Sequence, residues 1–514
     1  MHLQFSKFFK AFAVILVASF GHSQNNATIV KINPAETNQT ISKHIYGHFA
    51  EHLGRSVYGG LYVGDDSAIP NTDGVRNDII EALKELNIPN LRWPGGCFAD
   101  IYHWKDGIGP KEDRKNIENV SWGNVREDNG FGTHEFLNLC ETLGAEPYLA
   151  VNMNSGSVQE AVEWERYVNN PNGSSDLTDL RKENGRETPW DVKYWGIGNE
   201  SWDCGGDMTA EYYSNLYKRY ATAISSYDNT EKLYRIAVGP GEPDYEWTET
   251  VMKNIPANRI EGLSVHHYSV FDWVDKGHSI EFTDEEYFKT MQRAWFMDEF
   301  INKNAEVMDK YDPEKKVGLI VDEWGGWYNV LPGTNKSFLH QQNTMRDAMI
   351  AGLTLNIFNN HADRVHMANL AQTVNVLQAI ILTDDEKMLL TPTYHVMNMY
   401  KVHQDAELLS TEIENNPSFG DAPAISLSAS TDKSGKTHVS LVNIDGDKSY
   451  EITVNVDKMK PISASILESK KVQDHNTFDN PDKIKPKEFK DFKYKKGKIT
   501  LEIPAFSVVV FELN

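Results

Sequence analysis

Between residues 43 and 394, short apolar runs alternate with longer amphipathic segments, and this alternation limits the fold more than any other feature of the 514-residue chain. Repeated strand–helix units need a parallel sheet covered by helices. Eight runs qualify as strands. The first four are "HIYGHFAEH" (44–52), "NLRWPGGCF" (90–98), "EPYLAVNMN" (146–154) and "KYWGIGNE" (193–200). The others are "YRIAVGP" (234–240), "GLSVHHYS" (262–269), "GLIVDEW" (318–324) and "RVHMANLAQ" (364–372). Between them, "GVRNDIIEALKELN" (74–87) repeats Val75, Ile79, Leu83 and Leu86 at helical spacing, and "TAEYYSNLYKRYATAIS" (209–225) is a second helical candidate. Eight strands alternating with helices is the count of a (β/α)8 TIM barrel, an α/β fold.

The pattern changes after residue 394. "AISLSAS", "THVSLVNI", "YEITVNV", "SASILES", "KITLEI" and "SVVVFEL" are short and β-rich, with turn residues such as "DKSGK" between them. They predict a C-terminal antiparallel β-sandwich over 395–514. "ATIVKIN" (27–33) is another strand, in a segment (24–42) expected to join that sandwich. The lysine-rich stretch 470–496 reads as an exposed loop.

Composition narrows the partners. A net charge of −23 repels phosphate backbones and anionic lipid surfaces, so neither nucleic acid nor membrane is expected as a partner. A neutral substrate fits better. Near the N-terminus, Lys7 and Lys10 precede the apolar "AFAVILVASF" (11–20), and Gly21 and Ser23 form a small-x-small site. This predicts a signal peptide over 1–23, cleaved before Gln24, and an exported protein, periplasmic or extracellular. The three cysteines, Cys97, Cys140 and Cys204, are too few and too irregular for a disulfide framework, and no metal-ligand spacing involves them.

Two strands that look built for the interior end in carboxylates. "KYWGIGNE" closes on Glu200 and "VGLIVDEW" carries Asp322 and Glu323. In a barrel, the loops after the strands build the active face, so Glu200 and Glu323 would meet across one cleft. Two facing carboxyl groups are the minimal equipment for glycoside hydrolysis, one protonating the leaving oxygen and the other attacking the anomeric carbon or activating water. A separation of about 5–5.5 Å means retention and about 6.5–9.5 Å inversion. Two close carboxylates repel, so one keeps its proton, and esterifying the other releases it. The adjacent His266 and His267 point to opposite faces of a strand and cannot share an ion; the pocket-facing one, taken as His266, hydrogen-bonds a carboxylate. No metal or cofactor is expected.

"IYGHFAEHLGR" (45–55), "LRWPGGCF" (91–98), "YHWKDGIGP" (102–110) and "ANLAQTVNV" (368–376), with "GNE" and "DEW", narrow this further. Together they resemble glycoside hydrolase family 51, the α-L-arabinofuranosidases. The resemblance covers nearly the whole chain beyond the leader and implies a role at each matching position. Glu200 would be the acid/base and Glu323 the nucleophile. Asn199, Glu51 and Gln372 would bind the sugar, Tyr268 would orient Glu323, and Trp104 and Trp327 would wall the ring or aglycone. Cys97 stands where many members carry asparagine, and is kept as a pocket residue. Cys204 would lie near it, either in a disulfide or as an unrelated thiol. The implied activity is retaining, exo-acting release of arabinofuranose from arabinoxylan, arabinan or their oligosaccharides, by a homo-oligomer. An endo-glucanase or xylanase on the same barrel and a noncatalytic carbohydrate-binding protein are the alternatives. A blind-ended pocket would favour the exo enzyme and an open cleft the endo enzyme.

Overall fold

The computed structural model describes residues 27–33, 39–173, 175–227 and 232–514. Eight parallel strands close into a barrel: β1 (Gly47–Phe49), β2 (Asn90–Trp93), β3 (Glu146–Val151), β4 (Tyr194–Ile197), β5 (Tyr234–Ala237), β6 (Gly262–Ser269), β7 (Gly318–Gly326) and β8 (Val365–Leu370). Each pairs with its neighbours in sequence, and β8 returns to β1. Every predicted strand is present, although several are shorter than the apolar runs that announced them. Tyr148, Tyr194, Ile236, Ile320 and Met367 fill the lower barrel interior as one apolar layer. Above this layer the interior turns polar, and the site begins there.

Two sheets follow in the C-terminal half. The five-stranded sheet runs in the order Ser410–Glu414, Thr28–Asn33, Tyr450–Asn455, Lys498–Ile503 and Phe492–Lys495, so the strand ahead of the barrel does pair with this half of the chain. The six-stranded sheet is built around Ile425–Thr431, Thr437–Asn443, Ser507–Leu513 and Pro461–Leu467. Val30, Ile452, Val454, Leu427, Leu441, Val509 and Phe511 share the core between them. The strand Ile425–Thr431 shows the period of two: Leu427 and Ala429 enter the sandwich core, while Ser426 and Ser428 face the barrel.

The helix Met345–Asn360 lies between barrel and sandwich and is buried along almost its whole length. Thr344 caps its N-terminus, with Asp347 completing the capping box. Buried on all sides, it must satisfy polar groups on both. Asn356 donates to Ser426 Oγ (3.2 Å), Asn359 to Ser428 Oγ (3.0 Å), and Asn360 to the Leu427 carbonyl (2.9 Å). Tyr46, at the foot of β1, donates to Asn359 Oδ1 (2.8 Å). The 470–496 stretch is not simply a solvated loop. Val472, Ile484 and Phe489 are buried, and Gln473 and Asn476 donate to the carbonyls of Phe282 and Leu390. Its lysines face solvent while a few apolar side chains strap it to the protein.

At Gly352 the helix touches the sandwich so closely that a Cβ would lie 2.9 Å from a Val442 methyl and 3.3 Å from a Val508 methyl. Gly352→Leu should therefore overpack this seam and cost about 1–3 kcal/mol. Its denaturation midpoint should fall below that of Gly352→Ala, and equal midpoints would contradict a tight seam.

Candidate active site

The polar layer is organised by Arg92, which β2 delivers into the barrel interior beneath the loops. Its side chain is 1% exposed and its guanidinium lies 4.4 Å from the centre of the Phe49 ring. It donates to Glu323 Oε1 (2.8 Å), Asn199 Oδ1 (2.6 Å) and the Asp322 carbonyl (3.2 Å). Its Nε lies 3.6 Å from Asp322 Oδ2. Burial opposes the cation, but Asp322 and Glu323 outweigh burial and raise its pKa further. The bond to Asn199 Oδ1 fixes that amide, with its NH2 3.9 Å from Cys204 Sγ.

Glu323 lies within β7 rather than at its end. Consecutive strand residues should face opposite sides, yet both Asp322 and Glu323 reach the interior network. Register shifts at Val321/Trp324 against β8 and at Ser264/His266 in the pairing of β6 with β7 account for this local departure from alternation. Glu323 has a donor on each oxygen, Arg92 on Oε1 and the Tyr268 hydroxyl on Oε2 (2.7 Å).

Glu200 comes three residues after β4, with a left-handed φ of 39° that non-glycine residues adopt at a cost. The turn is held from outside. Buried Asp100 accepts from the backbone N–H groups of Met153, Asn154 and Asn199, and the Glu200 carbonyl accepts from Asp203 and Gly205. A Cβ on Gly205 would fall 1.7 Å from the Asn199 carbonyl oxygen, so only glycine fits there.

His266 joins the two halves. Its Nδ1 lies 2.8 Å from Glu200 Oε1 and 3.6 Å from Glu323 Oε2, and its Nε2 lies 3.2 Å from Asp322 Oδ1. With carboxylates on both edges, each ring nitrogen carries a proton. Burial works against the charge, but Glu323, Asp322 and Glu200 hold the pKa up to about 10. Tyr148 donates to the other Asp322 oxygen (2.6 Å). His267 faces outward, its Nε2 2.9 Å from the Arg293 carbonyl. Burial raises the pKa of Glu200, His266 pulls it back, and the Glu323 charge adds to the rise. An oxygen of Glu200, an oxygen of Glu323 and a His266 nitrogen all lie within 4.8 Å of one another.

Above this network sits a small recess lined by Glu51, Gly96, Cys97, Trp122, Glu200, Tyr268, Glu323, Trp327 and Gln372. Glu51 accepts from the Gly96 N–H (2.9 Å), the Trp122 indole (3.0 Å) and Gln372 Nε2 (2.8 Å). Its burial, and then the Glu323 charge, push its pKa up to about 7. Gln372 Oε1 is buried without a hydrogen-bond partner in this recess, an acceptor placed for a ligand hydroxyl. A Cβ at Gly96 would meet Glu323 Oε1 at 2.7 Å, which explains a glycine where backbone passes a carboxylate. The recess opens past Glu200 into a chamber of about 700 Å³ whose walls include Trp202, Phe271, Trp273 and Trp327.

The structure thus gathers Glu51, Cys97, Asn199, Glu200, His266, Tyr268, Glu323, Trp327 and Gln372 around one recess. It does not bring Trp104 there. That indole is 1% exposed, donates to the Glu160 carbonyl (3.0 Å) and stacks on Trp164. Trp122, from the same long excursion after β2, takes the wall position. Cys97 is joined to Cys204 in a disulfide, so it has no thiol hydrogen to offer a sugar. Arg92, Asp100, Tyr148 and Trp122 escaped the sequence reading, and Asp322 was noted there without a role. An arginine inside the apolar strand "NLRW" was the available signal for the first of them.

Two family models match the chain, the alpha-L-arabinofuranosidase 1 domain over residues 82–279 and the alpha-L-arabinofuranosidase C-terminal domain over residues 322–507. An intracellular exo-alpha-L-arabinofuranosidase of Bacteroides ovatus is 47% identical over 97% of this chain and 98% of its own length. The crystal structure of a GH51 arabinofuranosidase from Xanthomonas axonopodis pv. citri superposes with a TM-score of 0.92 at 43% identity, covering 95% of this chain and all (100%) of the other. An arabinose complex of the Thermotoga maritima alpha-L-arabinofuranosidase gives a TM-score of 0.84 at 30% identity, over 95% of this chain and 99% of that one. The expectation of export is corrected by the Bacteroides ovatus relative, which is similar along nearly the whole chain and is an intracellular protein. The predicted signal peptide, 1–23, lies outside the described residues. Two lysines before a short apolar run fit an export signal by composition alone, and composition does not carry the address.

The nearness of the two carboxyl groups yields a directional prediction. Replacing Glu323 by glutamine removes a negative neighbour, so the Glu200 carboxyl should titrate at lower pH than in the parent. Carbon-13 NMR of labelled glutamate side chains reads this without turnover, and an unmoved Glu200 would refute the electrostatic coupling.

Proposed function

The chain belongs to glycoside hydrolase family 51, the α-L-arabinofuranosidases, and from that premise we propose that it works by double displacement, with Glu323 as nucleophile and Glu200 as acid/base. It is a glycoside hydrolase acting on arabinose-containing substrates. The observation that carries the retaining reading is the separation of the carboxyl groups. An oxygen of Glu200 lies within 4.8 Å of an oxygen of Glu323, and so close an approach supports the short separation of a retaining pair over the wider one of an inverting site.

In this reading the furanose enters the recess with its reacting carbon over Glu323. Arg92 and Tyr268 hold the carboxylate so that one oxygen can attack. Glu200, its proton retained by burial and by the Glu323 charge, protonates the departing oxygen toward the chamber. Ester formation cancels the Glu323 charge, Glu200 loses its proton more readily, and it then activates water for the second displacement. In this reading Asn199, Glu51 and the unpartnered Gln372 Oε1 bind hydroxyls of the sugar, interactions that accelerate the reaction where they strengthen in the transition state. A small recess that gives onto a wider chamber supports exo action on a terminal arabinofuranose over endo cleavage of a main chain, and a chamber with several indole walls suits an oligosaccharide aglycone. Self-association as a homo-oligomer belongs to the same reading, and light scattering of the purified protein tests it.

Azide rescue separates the two roles. With a 4-nitrophenyl α-L-arabinofuranoside, Glu323→Ala should lose about a thousandfold or more in kcat. Azide should then give the β-azide by direct attack. Glu200→Ala should still form the ester, because nitrophenol leaves without protonation, and azide should give the α-azide. Exchanged stereochemistry would reverse the assignments, and a β product from the unaltered enzyme in methanol would end the retaining mechanism.

A further inference from the structure

Cys97 leaves β2 in "PGGC" and Cys204 lies in the loop after β4, and 107 residues separate them in sequence. The barrel brings their Cα atoms to 5.5 Å and the structure joins them in a disulfide. Cys204 Sγ is 3.5 Å from Glu200 Oε2. A disulfide sulfur has no hydrogen, so this contact contributes no hydrogen bond. The two sulfurs and a Glu200 oxygen all lie within 4.8 Å of one another, and all three residues are only half-buried. The remaining cysteine, Cys140, is buried in the core.

We infer that the reduced protein carries a site for one thiophilic divalent cation, of the Zn²⁺ or Cd²⁺ class, held by Cys97, Cys204 and Glu200, and that filling it stops catalysis. A dithiol reductant opens the bond: the reductant becomes a cyclic disulfide, and its two electrons and two protons leave Cys97 and Cys204 as thiols. The cation then displaces both thiol protons, and the proton of Glu200 where present, to bind two thiolates and a carboxylate, with solvent in the fourth position. Zinc–sulfur bonds of about 2.3 Å and zinc–oxygen bonds of about 2.1 Å set a tetrahedral sulfur–oxygen edge of roughly 3.6 Å. The Cys204–Glu200 distance of 3.5 Å already matches it. The sulfur–sulfur edge of such a site is about 3.8 Å, which cysteines with Cα atoms 5.5 Å apart reach by side-chain rotation. In the oxidised protein the sulfurs are spent on each other and make poor ligands. Soft thiolates select against Mg²⁺ and Ca²⁺. In the neighbouring donor cluster, His266 and Glu323 are already committed to Glu200 Oε1, Arg92, Asp322 and Tyr268, whereas Glu200 Oε2 faces Cys204.

The test uses the full chain, reduced with dithiothreitol, freed of reductant under nitrogen and titrated with Cd²⁺, whose thiolate charge-transfer absorption reports the ligands. Circular dichroism and thiol titration are followed alongside. Two thiols should become reactive with the fold intact. One Cd²⁺ per chain should then bind, arabinofuranosidase activity should fall in step, and a chelator should restore it. The oxidised protein should do neither at the same concentration. Cys204→Ser should weaken binding by at least roughly 100-fold, beyond the 10–100-fold expected for losing an outer partner. Glu200→Gln should keep the thiolate absorption, because both sulfurs remain, with affinity reduced by about 100-fold, and an unchanged affinity would remove Glu200 from the ligand set. Equal binding by the oxidised protein or by Cys204→Ser, no newly reactive thiols, or loss of fold on reduction would each overturn the site. The inhibition arm rests on the acid/base role proposed for Glu200, and the binding arm does not. Binding without inhibition would therefore remove Glu200 from the ligand set or from catalysis, and the affinity of Glu200→Gln tells which.

Discussion

A guanidinium enclosed by a barrel is tolerated only if its charge is matched and its forked amines are engaged, and Arg92 meets that condition by holding the site together, although its Nε, 3.6 Å from Asp322, makes no hydrogen bond. Its planar fork donates to Glu323, Asn199 and the Asp322 carbonyl, with the Asp322 carboxylate beside it. A lysine could not reproduce this, because a single ammonium lacks the fixed fork that spans two strands and a loop. The residues that would attack and position the sugar are thus placed by the same bonds that make the buried cation stable. Removing the cation would leave Asp322 and Glu323 as buried negative groups with fewer partners, so loss of chemistry and loss of local order would come together.

Around that cation, two similar side chains acquire different environments. Glu323 sits deep, with Arg92 and Tyr268 each donating to one oxygen. Glu200 lies at the mouth, on a strained turn, against an imidazolium anchored from behind by Asp322. The strain is carried elsewhere: Asp100 gathers three backbone N–H groups, and Gly205 lets the turn close. The turn that carries Glu200 is therefore held by residues that line neither the recess nor the chamber. This division between a supported residue and a supporting shell is how an active site keeps geometry tighter than a surface loop alone could hold it.

Much of the architecture was legible because periodicity and burial are local properties. The eight apolar runs, the helical spacing of Ile79 and Leu83, and the alternation in the C-terminal strands all record which faces must avoid water. The gathering of Glu200 and Glu323 was legible too, since the barrel turns the upper parts of its fourth and seventh strands toward one cleft, although Glu323 lies within its strand and not at the end. Trp104 and Trp122 mark the boundary of that legibility. Both lie in the long excursion after β2, both are tryptophans, and nothing local distinguishes them. One stacks on Trp164 beneath the loops and the other reaches Glu51. The N-terminal address failed for a related reason: a basic and apolar run is a composition, and many segments share it.

The sequence alone determined the barrel, the β-rich second half and the meeting of Glu200 and Glu323, because each depends on patterns within a few neighbouring residues or on motifs met in order. Only the tertiary structure decided which side chains surround those groups. The inward turn of both Asp322 and Glu323, the imidazolium lodged between Glu200 and Asp322, the choice of Trp122 over Trp104 and the joining of Cys97 to Cys204 all arise from contacts between distant segments. Their energies depend on burial and separation in space, which spacing along the chain does not encode.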